Sequence, residues 1–220
     1  MYWIYLICSL ALGLKMLAFP NLAMEATSSE IVEAVITDTG VPNAVSGIIL
    51  RNRLFDTIFE VVVFTLASMG VGTLLKTEKA PPKVRQFTDE TSRIMAQLGA
   101  MLATLIAIEL SIRGHLSPGG GFAAGVAGGT AIGLIAITSK TEEMQDLYKK
   151  WRVPLLEKLA VILFIGLASL VLLGVELGFG TFDTLLSGGW MPMLNILVAM
   201  KVAFGAWAIV LAFIRARGLF

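Results

Sequence analysis

Residues 113–122 read Arg113-Gly114-His115-Leu116-Ser117-Pro118-Gly119-Gly120-Gly121-Phe122 and lie between two apolar runs, Ile94 to Ile112 and Phe122 to Ile137. The stretch holds the only histidine of the chain, a proline and four glycines. Proline fixes φ and lacks an N–H donor, while glycine enters φ > 0 without a steric penalty. The segment is therefore predicted to be a tight, irregular turn with exposed backbone groups. Beyond it, Gly121, Gly125, Gly129 and Gly133 recur at i, i+4. Glycines at that spacing form a groove along one helix face, into which a second helix backbone can pack closely. One end of this helix is a shaped turn, and the rest is read as an interface.

The surrounding chain is apolar enough to set the fold class. Its 220 residues are 56% hydrophobic and 15% charged, with a mean hydropathy of +0.82. Apolar runs of about 18 residues or more argue for membrane spans. The reading is an all-α, polytopic membrane protein with about six spans. A net charge of +1 leaves nucleic-acid binding without an electrostatic footprint. A single cysteine, Cys8, excludes an intrachain disulfide and any multi-cysteine metal or iron–sulfur site. No phosphate-binding loop, H-E-x-x-H or dinucleotide fingerprint occurs. The chain is read as having no catalytic centre and no metal site of its own.

In chain order, the predicted spans are Met1 to Ala23, Phe55 to Leu75, Thr91 to Arg113, Phe122 to Ser139, Pro154 to Leu177 and Met193 to Ile214. The first lacks a basic leading region and is read as a retained helix, not a cleaved signal. Residues 24–50 are amphipathic and mildly acidic, with a piece at 31–36 too short to span. Lys76 to Glu90 and Lys140 to Arg152 are charged loops, the second with some helix. Gly178 to Pro192 is a Gly-rich connection carrying Trp190 as an interface aromatic. With six spans, the termini and both charged loops share one side. That side holds Lys76, Lys79, Lys83, Arg85, Lys140, Lys149, Lys150, Arg152, Arg215 and Arg217, against Arg51, Arg53 and Arg113 on the other. The positive-inside rule then predicts cytoplasmic N- and C-termini in a cell membrane.

Ionisable residues within spans are the candidates for function. Glu60 and Lys201 are placed near mid-depth, Lys15 beyond the middle of the first span, and Glu109 near the end of the third. A central charge costs roughly 2.5–3.5 kcal/mol on insertion scales, so these groups are expected to face protein or water and to be paired. Asp56 and Glu60, at i, i+4, share a face, which favours a proton on one of them. Plain alternatives stand beside each. Glu60 could be a neutral acid bonded to a neighbouring helix, and Lys201 a structural ion pair. Lys15 could snorkel to the interface, Glu109 could be solvated, and His115 could serve only the turn. The repeated Phe-Asp-Thr at 55–57 and 182–184 is read as chance.

Gly-His-x-x-Pro-Gly-Gly-Gly-Phe between two spans resembles the B-subunit (MrpB/MnhB) signature of Mrp-type multisubunit Na⁺/H⁺ antiporters. The same module occurs in archaeal membrane-bound hydrogenases and sulfane sulfur reductases. The resemblance covers roughly residues 90–217, including Asn195 and Lys201. Arg53-Leu54-Phe55-Asp56-Thr57-Ile58-Phe59-Glu60-Val61 is a looser match to a small E-type module. The resemblance implies two modules, 1–78 (E-type) and 79–220 (B-type), fused in one chain. It also implies a non-catalytic subunit that moves Na⁺ or H⁺ and holds no cofactor. Expected partners are A/D-, C-, E-, F- and G-like membrane subunits, with iron–sulfur and hydrogenase-like subunits if the complex is respiratory. The family's functional positions fall on Glu60, Pro118, Phe122 and Lys201. The fused layout departs from that of bacterial antiporters and points to the antiporter-like module of an archaeal ferredoxin-linked respiratory complex, a sulfane sulfur reductase or hydrogenase; a stand-alone antiporter subunit and a purely structural scaffold remain as alternatives.

Overall fold

The computed structural model describes residues 28–78, 84, 86–175, 177–178 and 180–217, and all regular structure among them is helical. A first helix, α1 (Ser28–Thr39), precedes a short α2 (Ala44–Gly47) that runs on into a π-helical turn, Ile48–Asn52. The longer elements come next: α3 (Leu54–Leu75), α4 (Glu90–Arg113), α5 (Gly121–Thr138), α6 (Thr141–Lys150), α7 (Val153–Leu172) and α8 (Met191–Arg217). Five of these, α3, α4, α5, α7 and α8, are long and apolar enough to cross a membrane. The predicted first span, Met1 to Ala23, and Lys15 within it lie outside the described residues. By packing the chain divides into two units, Met1–Ala34 and Val35–Phe220, and the helical bundle belongs to the second.

Local chemistry sets the helix ends. Asp89 caps α4, its carboxylate accepting from Ser92 N at 2.8 Å. Arg152 takes a left-handed conformation, φ 48°, and Pro154 opens α7 where its missing N–H costs nothing. The predicted end of that span, Leu177, is too late: the helix stops at Leu172. Gly174, at φ +79°, reverses the chain, with Val175 N donating to Leu170 O and Gly174 N to Val171 O, both at 3.0 Å. These paired bonds satisfy the last carbonyls and end the helix five residues before the apolar run does.

The last helix, α8, is the centre of the bundle and is contacted by α3, α4, α5, α6 and α7. Two apolar clusters lie along it. One, near the Gly-rich turn, gathers Val41, Leu50, Leu54, Val61, Phe164, Met191, Leu194 and Val198. The other, near the charged loops, gathers Met144, Val153, Trp207, Leu211 and Ile214. The outward faces of α3 and α4 are apolar as well, with Phe59, Val63, Leu66, Leu98, Leu102 and Leu105 all exposed. In water such faces would be a liability; against lipid or a partner helix they cost nothing.

Candidate functional site

The most deeply buried charge of the described chain is Lys201, near the middle of α8, whose side chain is 0% exposed. Its Nζ donates to Glu157 Oε1 at 2.5 Å, and that carboxylate is 14% exposed. The Phe64 ring of α3 lies over the ammonium, 4.9 Å from Nζ to the ring centroid. Gly205, one turn further along α8, leaves room for this grouping. A Cβ there would stand 2.6 Å from Phe64 Cε1, 3.1 Å from Glu157 Oε1 and 3.2 Å from Lys201 Nζ. Three helices thus meet at one ion pair. Removing one partner of such a pair leaves an uncompensated charge, typically a loss of about 3–5 kcal/mol, whereas neutralising both is tolerated.

Glu157 and Gly205 were not candidates in the sequence. Glu157 stands four residues into α7 beside Lys158, where it reads as an interfacial charge; Lys158 is exposed and Glu157 turns inward. The available signal was the spacing of Lys201 and Gly205, i, i+4 on an apolar helix.

Of the other predicted ion-path residues, Glu60, Asp56 and Glu109 are not brought to this pair, and Lys15 lies outside the described residues. Glu60 was expected to be enclosed or paired, but its side chain lies exposed on α3, with no hydrogen-bond or ion-pair partner among the described residues. Phe64, which does reach Lys201, lies one turn away from it. Asp56 is exposed and ion-paired to Arg53, three residues earlier. Glu109 is exposed and pairs with Arg113 at 3.4 Å across one turn.

The Gly-rich turn is held from two directions. Asn43 Nδ2, just before α2, donates to Gly114 O at 2.8 Å and to Ser117 O at 2.7 Å. Ser46 Oγ donates to Gly114 O at 2.5 Å, and Asn43 N to His115 O at 3.3 Å. From α8, Asn195 Oδ1 accepts from Gly121 N at 2.9 Å and so caps α5. Gly119 and Gly120 adopt φ +145° and +114°, accessible to glycine alone at low cost. Pro118 is exposed, while Phe122 packs against the cluster around Leu194. His115 is fully buried, with Nε2 3.3 Å from Thr184 O. A carbonyl only accepts, so Nε2 carries the proton and Nδ1 is an acceptor with no partner among the described residues. Burial pushes the imidazole below its ordinary value, and the bond to Thr184 opposes that in part.

Along α5, close approach to α8 runs through Gly121, Gly125 and Gly129. A Cβ on Gly121 would stand 2.6 Å from Asn195 O, one on Gly125 would collide with Val202, and one on Gly129 would stand 2.6 Å from Ala206 Cβ. Gly133 departs from the expected stripe: a Cβ there would meet nothing within 4 Å. The helices separate by that turn, leaving an apolar groove of about 590 Å³ that Gly133 lines with Phe64 and Ala206.

Comparison with known proteins fits this arrangement. No curated protein matches the chain. Among solved structures, a chain of the membrane-bound sulfane sulfur reductase (MBS), an archaeal respiratory membrane complex, superposes with a TM-score of 0.70 at 24% identity. The match covers 96% of this chain and 95% of that one. A chain of the Mrp complex from Dietzia sp. DQ12-45-1b superposes with a TM-score of 0.63 at 18% identity, over 99% of this chain and 25% of that longer one. These likenesses are of fold. A family model described as a domain related to the MnhB subunit of Na⁺/H⁺ antiporters matches residues 91–208, more than half the chain. The matched residues take in the Gly-rich turn, Glu157, Asn195 and Lys201, and the chain belongs to this family of MnhB-related domains.

Proposed function

We propose that the chain is a membrane subunit of a multisubunit Na⁺- or H⁺-translocating complex and that the Lys201–Glu157 pair is the charged element of its ion path. The observation that carries this is a titratable pair enclosed by three spanning helices. Such groups are rare in membrane interiors and mark ion paths and proton relays. A cation approaching Glu157 competes with the Lys201 ammonium for the same carboxylate. Lys201, on a flexible stem beside Phe64, can yield and return, so that one positive charge replaces another without leaving the acid unpaired. Glu60, on the outer face of α3, extends the path towards a neighbouring subunit, and Lys15, Asp56 and Glu109 are further candidates along it.

The setting we favour is the antiporter-like part of an archaeal ferredoxin-linked respiratory complex, a sulfane sulfur reductase or hydrogenase. Near-complete mutual coverage with the MBS chain supports it over a stand-alone Mrp antiporter, of whose chain this one spans a quarter. In that setting the partners are A/D-, C-, E-, F- and G-like membrane subunits together with iron–sulfur and hydrogenase-like subunits. Residues 1–78 act as an E-type module, 79–220 as a B-type module, and both termini are cytoplasmic.

The test is the double variant Lys201→Met/Glu157→Gln in the intact complex, which removes both charges and leaves neither unpaired. The expected result is normal assembly and electron transfer to a soluble acceptor, with impaired Na⁺- or pH-gradient formation in vesicles. Wild-type gradients in the assembled variant would overturn the ion-path assignment and leave a scaffold.

A further inference from the structure

At the end of the bundle opposite the Gly-rich turn lies a cavity of about 470 Å³. Three cations from three helices converge on it: Lys76 at the end of α3, Lys149 in the last turn of α6 and Arg215 near the end of α8. All three are exposed, and none has an ion-pair partner among the described residues. Each cation taken alone suits a helix C-terminus, whose carbonyls carry partial negative charge. That does not account for their meeting around one cavity, where like charges repel. Glu78 also lines the cavity, and one carboxylate against three cations leaves an excess of positive charge.

The rest of the lining is of two kinds. Tyr148 and Gln145 offer neutral hydrogen-bonding groups. The Tyr148 ring is fixed edge-on against Trp207, with centroids 5.5 Å apart. Burial, and then the nearby Glu157 charge, push its phenol up, so it remains a donor at neutral pH. The remaining wall, formed by α3 and α8, is apolar and built largely of small residues, and a Cβ on Gly72 would meet nothing within 4 Å. A cationic rim above an apolar channel between two spanning helices matches a ligand that is anionic at one end and hydrocarbon at the other.

We infer that this cavity binds an anionic phospholipid, with the headgroup phosphate held by Lys76, Lys149 and Arg215 and an acyl chain lying along the Gly72 side of α3. Basic pockets between membrane helices hold anionic headgroups in this way. The site is separate from the Lys201–Glu157 pair and does not depend on the proposed transport role.

The test uses the purified, delipidated complex in a neutral detergent, titrated with dioleoylphosphatidylglycerol, dioleoylphosphatidylcholine or inorganic phosphate. Tm and retained lipid, the latter by mass spectrometry, are the readouts. Phosphatidylglycerol is expected to raise Tm and to be retained near one per chain, and phosphatidylcholine and phosphate to do neither. Lys149→Gln/Arg215→Gln, both at exposed positions, is expected to fold normally and to weaken phosphatidylglycerol binding about twenty-fivefold, from about fivefold per basic residue removed. An equal shift with phosphatidylcholine, or full retention by the double variant, would overturn the inference. An equal shift with phosphate alone would make this a soluble-anion site and overturn the lipid assignment.

Discussion

At the scale of single residues, the Lys201–Glu157 pair sets two opposite charges, covered by Phe64, where three spanning helices meet. Lys201 stood out because a lysine in an apolar run must be enclosed or paired, and it is both. Its partner was illegible because Glu157 falls close to Pro154 and beside Lys158, where charge looks interfacial. Only the rotation of α7 against α8 decides which of the two neighbours turns inward, and rotation is a property of packing. Glu60 went the other way: depth was readable, facing was not. His115 gives a test at this scale. Its folded-state proton affinity is depressed by burial below the ordinary 6.5, so the unfolded chain binds more protons at acidic pH. The stability this contributes is full above the ordinary value and is lost as pH falls from there towards the folded value. Tm of the purified complex should therefore fall as the pH drops below the ordinary 6.5, and His115→Gln should flatten that part of the profile. An unchanged profile in the variant would place the acid sensitivity elsewhere.

Elements were mostly legible, because apolar length and Gly or Pro punctuation are local properties. The five spans after the first were found with ends displaced by a few residues, and the displacements have causes. Gly174 stops α7 inside its apolar run, and the Asn195 cap starts α5 one residue before the predicted Phe122. The glycine stripe shows the limit of spacing as evidence. Four glycines share a face, but two helices crossing at an angle stay in contact over only part of their length, and here contact ends before Gly133. The two ends of the stripe should therefore respond differently to substitution. Gly129→Leu should lower stability by about 1–3 kcal/mol through overpacking against Ala206. Gly133→Ala should be neutral or stabilising, as alanine is the better helix former. Thermal unfolding of the two variants in detergent measures both; equal losses would mean that the helices stay in register along the whole stripe.

On the scale of the molecule, the alternation of spans along the chain predicted which loops share an end. Lys76, Lys149 and Arg215 do line one cavity, and the Asn43 loop, the Gly-rich turn and Thr184 meet at the other end. Which end faces the cytoplasm is a matter of counting basic residues, and it is open to a direct check. In a Cys8→Ala background, Thr77→Cys and Glu142→Cys should resist an impermeant thiol reagent applied to intact cells, and Phe182→Cys should react. Labelling of either of the first two from outside would invert the topology. What no local pattern foretold is the clasp of Asn43 and Ser46 on the turn, because donor and acceptor stand 71 and 74 residues apart for the Asn43 bonds. That separation has a meaning in time. At translation rates of about 5–20 residues per second, the clasp emerges roughly 4–15 s before the turn it holds. The earlier Asn43–Ser46 segment is therefore a waiting receptor: when the next pair of spans inserts, the carbonyls of its loop are met by donors already in place, and the order of synthesis becomes part of how the turn acquires its shape.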